Sequence, residues 1–274
     1  MSKLSVARES TCRMPKTDLK RVNGEVIKRA THPNGIDASK LQHIRRVSFL
    51  SVLSVDELAE VVPISRVVHK PRGAMIFMEG DPAESFYVVH RGRVKISMLS
   101  SNGKEIIMEI IRPGEFFGEL AFVDDSPHVT TAESLDDVLL HVYWKESFRN
   151  IMSRPDVAWG VARFIGSRLR RTERKVCDLI HKDVSTRIID LLIEMAGINC
   201  ENRPDSDNIQ VHLNHQDIAG LIGASRQRAT IALNALEKLG RIELHRGCIW
   251  IKSLHDLRSQ QQAAAESHRL LRSP

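Results

Sequence analysis

The stretch from Asn214 to Gly240, NHQDIAGLIGASRQRATIALNALEKLG, decides the fold of this chain of 274 residues. Asn214 is a residue type that caps helices, and apolar residues follow it at helical spacing. Gly223 suits the left-handed turn that ends a helix, and Ser225 is a second cap. The pattern predicts two helices joined by a tight turn, the second of them held on a core by three leucines: Leu233, Leu236 and Leu239.

The beginning of the second helix predicts contact with DNA. A helix that buries its C-terminal half and offers polar side chains at its N-terminal end fits the major groove. A surface helical hairpin with a charged face is the alternative; it explains the leucines but not the Ser-Arg-Gln-Arg start. The candidate DNA-binding residues of this helix are Ser225, Arg226, Gln227, Arg228, Thr230 and Ile231.

A hairpin after the two helices predicts a winged helix. Residues 241–244 and 248–251 read as two short strands joined around Arg246-Gly247, and a further short strand, Ile209–Leu213, precedes the helices. This arrangement puts His245 and Arg246 at the tip of the wing, where we expect them to contact DNA as well.

Composition agrees with a polyanionic partner. The formal net charge is +6 and the pI is about 9.3, while 42% of the residues are apolar, enough for roughly two domains. No apolar run is long enough to span a bilayer, and the N-terminus lacks the apolar core of a signal peptide. Four scattered cysteines without a CxxC pair fit a reducing compartment. We therefore expect a cytoplasmic protein without a membrane partner.

Residues 65–142 predict a β-barrel or sandwich. Short apolar, β-branched segments alternate with turn dipeptides, and Asn102-Gly103 is the strongest hairpin signal among these. The segments predicted as strands are Ala74–Met78, Phe86–Val89, Val94–Leu99, Ile106–Ile111 and Val138–Val142. Before them, Leu41 to Val62 is predicted to be helical.

A long helix is predicted from Asp156 to His181. Its apolar seam alternates steps of three and four residues, a heptad pattern that favours a parallel homodimer over a helix packed only on its own barrel. The predicted dimerisation residues on this seam, which begins at Ala162, are Ile165, Leu169, Thr172, Val176 and Leu179.

These patterns predict an α+β chain in five segments. A disordered basic arm (1–40) precedes an effector-type jelly-roll barrel (41–155) and the dimerisation helix (156–182). A winged helix-turn-helix (183–256), whose first helix runs from about Asp183 to Met195, and a frayed polar tail (257–274) complete the chain.

A barrel, a long helix and a winged helix in this order resemble the cyclic-AMP receptor and FNR family of bacterial transcription regulators. Four motifs carry the resemblance: GDPAESFYVVHRGRVKI (80–96), RPGEFFGELAF (112–122), TERKVCDLIHKDVSTRI (172–188) and SRQRATIALNALEKLG (225–240). The resemblance covers about residues 47–254. It implies a homodimeric regulator that is not an enzyme, with double-stranded DNA and RNA polymerase as partners.

The resemblance also implies a cavity for a cyclic nucleotide. Glu119 matches the glutamate that accepts from the ribose, and Thr172 matches a position that contacts the base. His128 and Val129 stand where binders of cyclic AMP present an arginine and a serine or threonine, so the bidentate phosphate contact is lost. The identity of the cofactor therefore stays open, and a cyclic nucleotide that binds weakly, without the phosphate-binding arginine, is one candidate. The predicted effector residues are Gly118, Glu119, Leu120, His128, Val129, Thr130 and Thr172.

On the recognition helix, Arg226 matches the family's guanine-reading arginine and is expected to donate hydrogen bonds to both O6 and N7 of a guanine. Gln227 stands where some members carry glutamate. Ile231 stands where cyclic-AMP receptors carry a second arginine and can pack on a thymine methyl. Arg228 lies about 100° round the helix from Gln227 and is expected to anchor a phosphate.

The same residues bear on other functions. A four-thiolate iron–sulfur cluster is not expected, because the barrel has no cysteine and only Cys12 lies near the N-terminus. No metal site is predicted, although haem ligation by a barrel histidine stays open; the candidates are His69, His90, His128 and His141. Two alternatives remain. One is an architectural DNA-binding protein without an effector, and the other is a regulator that responds to redox state through Cys177. We expect the Cys177 thiol to be buried and inert, which disfavours the second.

Overall fold

The computed structural model describes residues 45, 47, 50–61, 65–123, 126–199 and 208–270. Its helices are α1 (Val55–Val61), α2 (Lys145–Met152), α3 (Pro155–His181), α4 (Val184–Asn199), α5 (His215–Ile222), α6 (Arg226–Lys238) and α7 (Leu254–Leu270), with a 3-10 turn at Glu119–Phe122. Its strands are β1 (Ser65–Lys70), β2 (Met75–Phe77), β3 (Ser85–Arg91), β4 (Val94–Leu99), β5 (Glu105–Ile111), β6 (Phe116–Phe117), β7 (Thr131–Ser134), β8 (Val138–Trp144), β9 (Ile209–Val211), β10 (Ile242–His245) and β11 (Cys248–Ile251). The arm (1–40) lies outside the described residues.

The first eight strands form two antiparallel four-stranded sheets, in the orders β1-β8-β3-β6 and β2-β7-β4-β5. The core between them is apolar and includes Phe77, Val89, Ile96, Phe117 and Leu140. All five predicted strands are present, and Asn102-Gly103 joins β4 to β5 as expected. The predicted barrel of the α+β fold is therefore confirmed.

Three strands were missed by the sequence prediction, and each lacks the apolar pattern that reveals a strand. β1 is mostly exposed or half-exposed, β6 has only two residues, and β7 reads Thr-Ala-Glu-Ser. Pairing with a neighbouring strand, not local pattern, makes these segments extended.

The helix predicted from Leu41 to Val62 is confirmed at its C-terminal end, as α1, but not over residues 50–53. Residues 50–52 form a turn and residue 53 a bend, so α1 begins only at Val55. Ser54 and Glu57 explain the late start because they form a capping box: the Glu57 amide donates to Ser54 Oγ at 3.3 Å, and the Ser54 amide donates to Glu57 Oε2 at 2.7 Å.

The C-terminal domain packs α4, α5, α6 and α7 on a small sheet of order β10-β11-β9. The predicted frayed tail beyond Asp256 is wrong, since α7 continues to Leu270. Leu257 is fully buried, and Gln261 Nε2 donates to Asp190 Oδ1 of α4 at 2.6 Å. This packing on α4 could not be inferred from the polar local sequence.

Candidate DNA interface and effector cavity

The caps predicted for the two helices of the helix–turn–helix are present. Asn214 Oδ1 accepts from the Asp217 amide at 2.8 Å, and Asp217 Oδ2 accepts from the Asn214 amide at 3.4 Å. Gly223 ends α5 at φ 63°, in the left-handed region. Ser225 Oγ accepts from the Arg228 amide at 3.3 Å, so this hydroxyl is used to begin the recognition helix α6.

The core face of α6 is shorter than predicted. Leu233 and Leu236 are buried, as expected, but Leu239 is 63% exposed. Leu239 is the C-cap, with ψ 2°, so it has left the helical periodicity that would have turned it inward.

The predicted DNA-reading side chains of α6 lie together on its outer face. Arg226, Gln227 and Arg228 are exposed, and Ile231, one turn later, is 62% exposed. The wing-tip residues His245 and Arg246 are exposed on the same domain, at and beyond the end of β10. These six side chains are accessible to a second molecule, although His245 Nε2 already lies 3.1 Å from Glu243 Oε1.

Thr230 differs from its neighbours on α6. It is half-buried, and its Oγ1 lies 3.1 Å from Nδ1 of His215, the first residue of α5. The sequence analysis did not single out His215. The contact joins the two helices across the turn, and no sequence-local signal reports such a pair.

The long helix α3 exposes most of its predicted seam. Leu169 is 58% exposed and Val176 is 50% exposed, and Thr172 and Leu179 are also exposed. Ile165 is half-buried and packs on the barrel core. The apolar stripe therefore begins against the chain's own barrel, is uncovered at Leu169 and Val176, and ends at Leu179, which lies beside Gly223 of α5.

A cavity of about 550 Å³ lies between the barrel, α3 and the C-terminal domain. It is lined by all seven residues predicted to bind an effector: Gly118, Glu119, Leu120, His128, Val129, Thr130 and Thr172. Gly118 has φ 78°, and a Cβ there would lie 3.1 Å from the Ser85 carbonyl oxygen. Glycine is required at this turn because both its backbone conformation and its close neighbour disfavour a side chain.

Glu119 is buried and already paired. Arg168 Nη1 donates to both of its carboxylate oxygens, at 2.7 and 2.8 Å, and Arg168 Nη2 lies 2.8 Å from Glu109 Oε2. Burial of Arg168 lowers its pKa, but the attraction of Glu119 and Glu109 outweighs burial and raises the pKa above its ordinary value. Arg168 is not among the residues predicted for the cavity, because nothing in its local sequence reports carboxylates that lie 49 and more positions earlier in the chain.

His128 is held inside the barrel rather than presented to solvent. Its ring stacks on Phe77 with centroids 3.6 Å apart, and its amide donates to the Asp81 carbonyl oxygen at 2.9 Å. Burial lowers the pKa of His128, against a smaller opposing effect of Asp81 and Glu119. The imidazole is therefore biased to the neutral form and brings little positive charge to the cavity.

Val129 and Thr130 follow His128 along the cavity wall. Val129 is exposed and Thr130 is half-buried. Most of the positive charges that line the cavity come instead from α3, among them Arg168 and Arg171, and Arg112 of the barrel and Arg187 of α4 add to them. Positive charge at this cavity is therefore supplied mainly by α3, and not by the turn that carries His128.

The other sequence candidates are scattered. Cys177 is exposed on α3, which corrects the expectation of a buried thiol, whereas Cys12 and Cys200 lie outside the described residues. Within the described ranges, no group of three or more His, Cys, Asp or Glu side chains is placed to hold a metal ion. Among the helices of that same part of the chain, none has the length and apolarity to cross a bilayer.

Two family models match the chain in the order that the fold shows. The cyclic nucleotide-binding domain matches residues 67–155, and the Crp-like helix-turn-helix domain matches residues 186–260. The first match contains the barrel and the second contains the helices α5 and α6 with the wing.

The chain is 31% identical over 175 residues to the CRP-like cAMP-activated global transcriptional regulator of Mycobacterium tuberculosis (strain ATCC 25618 / H37Rv). The match covers 64% of this chain and 78% of that protein. The chain belongs to the CRP/FNR family of transcription regulators. The predicted family is thereby confirmed, together with regulation of transcription through a DNA-binding helix-turn-helix.

Further relatives of this CRP/FNR regulator differ in the signal that their names record. The global nitrogen regulator of Synechococcus elongatus is 30% identical over 178 residues, covering 64% of this chain and 80% of that protein. The structure of the c-di-GMP responsive global regulator CLP of Xanthomonas campestris shares the fold, with a TM-score of 0.64 at 22% identity, over 73% of this chain and 100% of that chain. Membership of the family does not by itself name an effector.

Proposed function

We propose that this CRP/FNR regulator is a homodimer that binds a near-palindromic DNA site and senses an effector in its barrel. The exposed first turn of α6 carries the proposal: Arg226, Gln227 and Arg228 face solvent while the later part of the helix is buried. Such a helix can enter the major groove without unpacking its own core. A protein with this role would act in the cytoplasm, with RNA polymerase as a further proposed partner.

The uncovered seam of α3 supports the dimer. Leu169 and Val176 are both at least half exposed in a helix of 27 residues. Exposing apolar side chains to water in this way is unfavourable unless a partner covers them. Pairing two such helices about a two-fold axis brings two recognition helices to half-sites one DNA turn apart, about 34 Å.

The effector is proposed to be something other than tightly held cyclic AMP. A ribose hydroxyl would compete with Arg168 for Glu119, and neutral His128 offers one donor in place of a bidentate guanidinium. We expect calorimetry to show little cyclic-AMP heat for the parent and stronger binding for His128→Arg. Strong binding of cyclic AMP to the parent would contradict this part of the proposal.

An effector-independent regulator is the second candidate, and one observation favours it. The Glu119–Arg168 pair satisfies the buried carboxylate in the absence of any ligand. A redox-responsive regulator is tested by the same assay, because Cys177 is exposed on α3.

Selection of binding sites from random DNA, with purified nucleotide-free protein under reducing and oxidising conditions, tests both the function and these alternatives. The proposal requires enrichment of a near-palindrome with two half-sites. The enriched half-site should depart from the consensus of the cyclic-AMP receptors at the position where Ile231 docks. Enrichment that requires no added small molecule would favour the effector-independent candidate, and the absence of any enriched site under every condition would contradict DNA recognition.

A further inference from the structure

The barrel contacts the helix–turn–helix of its own chain through strand β5. Ile107 is fully buried and belongs to the hydrophobic cluster of the C-terminal domain, with Ile188, Ile218 and Leu233, rather than to the cluster between the two sheets of the barrel. A strand of the effector domain thus supplies part of the core of the DNA-binding domain.

A β-bulge directs β5 toward that domain. Ser97 pairs with Ile107 and Ile96 pairs with Glu109, so Met108 is an extra residue between the two pairs. Regular alternation would place Ile107 and Ile110 on opposite faces of the strand, whereas here both join the cluster of the C-terminal domain. The bulge is therefore part of how the two domains meet.

Gly220 of α5 is the point that receives Ile107. A Cβ on Gly220 would lie 2.8 Å from Ile107 Cγ1 and 3.0 Å from Ile107 Cδ1, closer than carbon atoms can approach without displacement. Alanine is the better helix former, so helix propensity does not account for glycine at this position. The close approach of Ile107 does account for it.

Polar contacts hold the same junction on two further sides. Arg93 Nη1 donates to the His212 carbonyl oxygen at 2.9 Å, while Asp136 holds the guanidinium in place at 2.7 and 2.9 Å. Lys175 of α3 donates to the Ile107 carbonyl oxygen. Ile107 is therefore tied to the long helix through its backbone and to α5 through its side chain.

We propose that Arg93 and Ile107, the barrel seat, are positioning residues that set the orientation of each recognition helix relative to the long helix. The barrel seat contacts α5 at Gly220 and the segment before α5 at His212. It leaves exposed the DNA-reading side chains of α6 and the wing tip. It orients the reading surface without covering it. In the proposed dimer, on which this inference rests, two seats fix the distance and angle between the two recognition helices and thereby select the spacing of the half-sites.

The seat is tested with the full-length protein on a series of palindromes whose half-sites are moved apart or together by one to four base pairs. Gly220→Ala pushes Ile107 out of place, so we expect about tenfold or greater loss of affinity at the selected spacing, because the second half-site is no longer presented in register. The preference among spacings should broaden. Affinity for a single half-site should stay within about twofold of the parent, since that contact is made by α6 and the wing tip, which the barrel seat does not touch.

Gly197→Ala is the matched control. Gly197 is also a helical glycine of the C-terminal domain, but nothing lies within 4 Å of a Cβ built there. This variant should keep the spacing preference of the parent. In the double variant Gly220→Ala/Ile107→Ala the clashing atoms are removed, so its loss should be smaller than the sum of the two single losses.

Arg93→Ala provides a second route if Gly220→Ala does not fold, as judged by circular dichroism, and it should broaden the spacing preference in the same direction. An unchanged spacing profile in a folded Gly220→Ala or Arg93→Ala protein would overturn the proposal. An equal loss for single half-sites would also overturn it, because that result places the damage inside the DNA-binding domain. Absence of DNA binding by the parent would instead refute the proposed function.

Discussion

In the recognition helix α6 the polar side chains of the first turn stand in solvent, whereas in the barrel cavity the carboxylate of Glu119 is buried and paired with Arg168. Each region is a proposed binding site: α6 for DNA and the cavity for an effector. An exposed charge stays hydrated until DNA replaces the water, so it needs no internal partner. A buried charge must be paired within the protein, since an isolated ion in the interior is very costly.

The comparison teaches that the two regions bind by different exchanges. DNA would add contacts to exposed side chains of α6 that break no contact within the protein, and its phosphates would be attracted to the basic ones. A cavity ligand must either fit beside the Glu119–Arg168 pair or replace one of its partners. The apolar seam of α3 lies between the two regions and would link them in a dimer, and the following variants separate the three surfaces.

The largest effect is expected from the seam. Leu169→Lys with Val176→Lys places two charges on the proposed dimer contact, so we expect monomers and about 10²–10⁴-fold weaker binding to a palindrome, because the gain from simultaneous binding is lost. Sedimentation and DNA titration measure the two outcomes. Ile165 is left intact because it packs on the barrel. Cys177→Lys, an exposed position beside the seam, should stay dimeric; a dimeric double-lysine variant would exclude this seam as the interface.

The next effect concerns the cavity alone. Glu119→Gln removes one of the two carboxylates that pair with the half-buried Arg168 guanidinium, so the free energy of unfolding should fall by about 1–3 kcal/mol; the loss is limited because Glu109 remains as a partner. Denaturant titration measures it. Arg168→Gln combined with Glu119→Gln should lose less than the two single changes added together. Simple additivity would mean that the pair does not act as a unit.

A smaller and more selective effect is expected at α6. Arg226→Ala should weaken binding to the selected site by about 1–3 kcal/mol and relax the preference at one base pair. Arg228→Ala should weaken all sequences alike and flatten the salt dependence, as loss of a phosphate contact does. Competition binding on sites with single base changes distinguishes the two. Exchanged phenotypes would show that the roles of the two arginines are reversed.

The smallest effect is a pH dependence from His128. Because burial lowers the pKa of His128 in the folded protein, the unfolded chain binds the proton more readily. Its contribution to stability is therefore present above the ordinary histidine pKa, about 6.5, and is lost as the pH falls through that value toward the lower folded pKa. Unfolding titrations of the parent and of His128→Gln between pH 7.5 and 5.5 should show a shallower decline for the variant. Parallel declines would contradict this effect.

Features set by neighbouring residues could be predicted from the sequence. Asn102-Gly103 joins its hairpin, and Asn214, Gly223 and Ser225 begin or end helices where their side chains and backbone preferences indicated. Each depends on interactions within a few residues, which the order of amino acids displays directly. The residues that line the cavity could be predicted from the family resemblance, because a known fold shows which segments distant along the chain lie side by side.

What only the tertiary structure decided are contacts between distant segments that no local pattern encodes. Arg168 reaches Glu119, 49 positions earlier, and Thr230 meets His215 across the turn between two helices. Ile107 reads as an ordinary strand residue and Gly220 as an unfavourable helix residue until the fold places one against the other. The sequence by itself determined the order of domains and the start of the recognition helix. The ion pair of the cavity and the seat of the DNA-binding domain followed only from the packing, because their free energies come from burial that exists once the chain has folded.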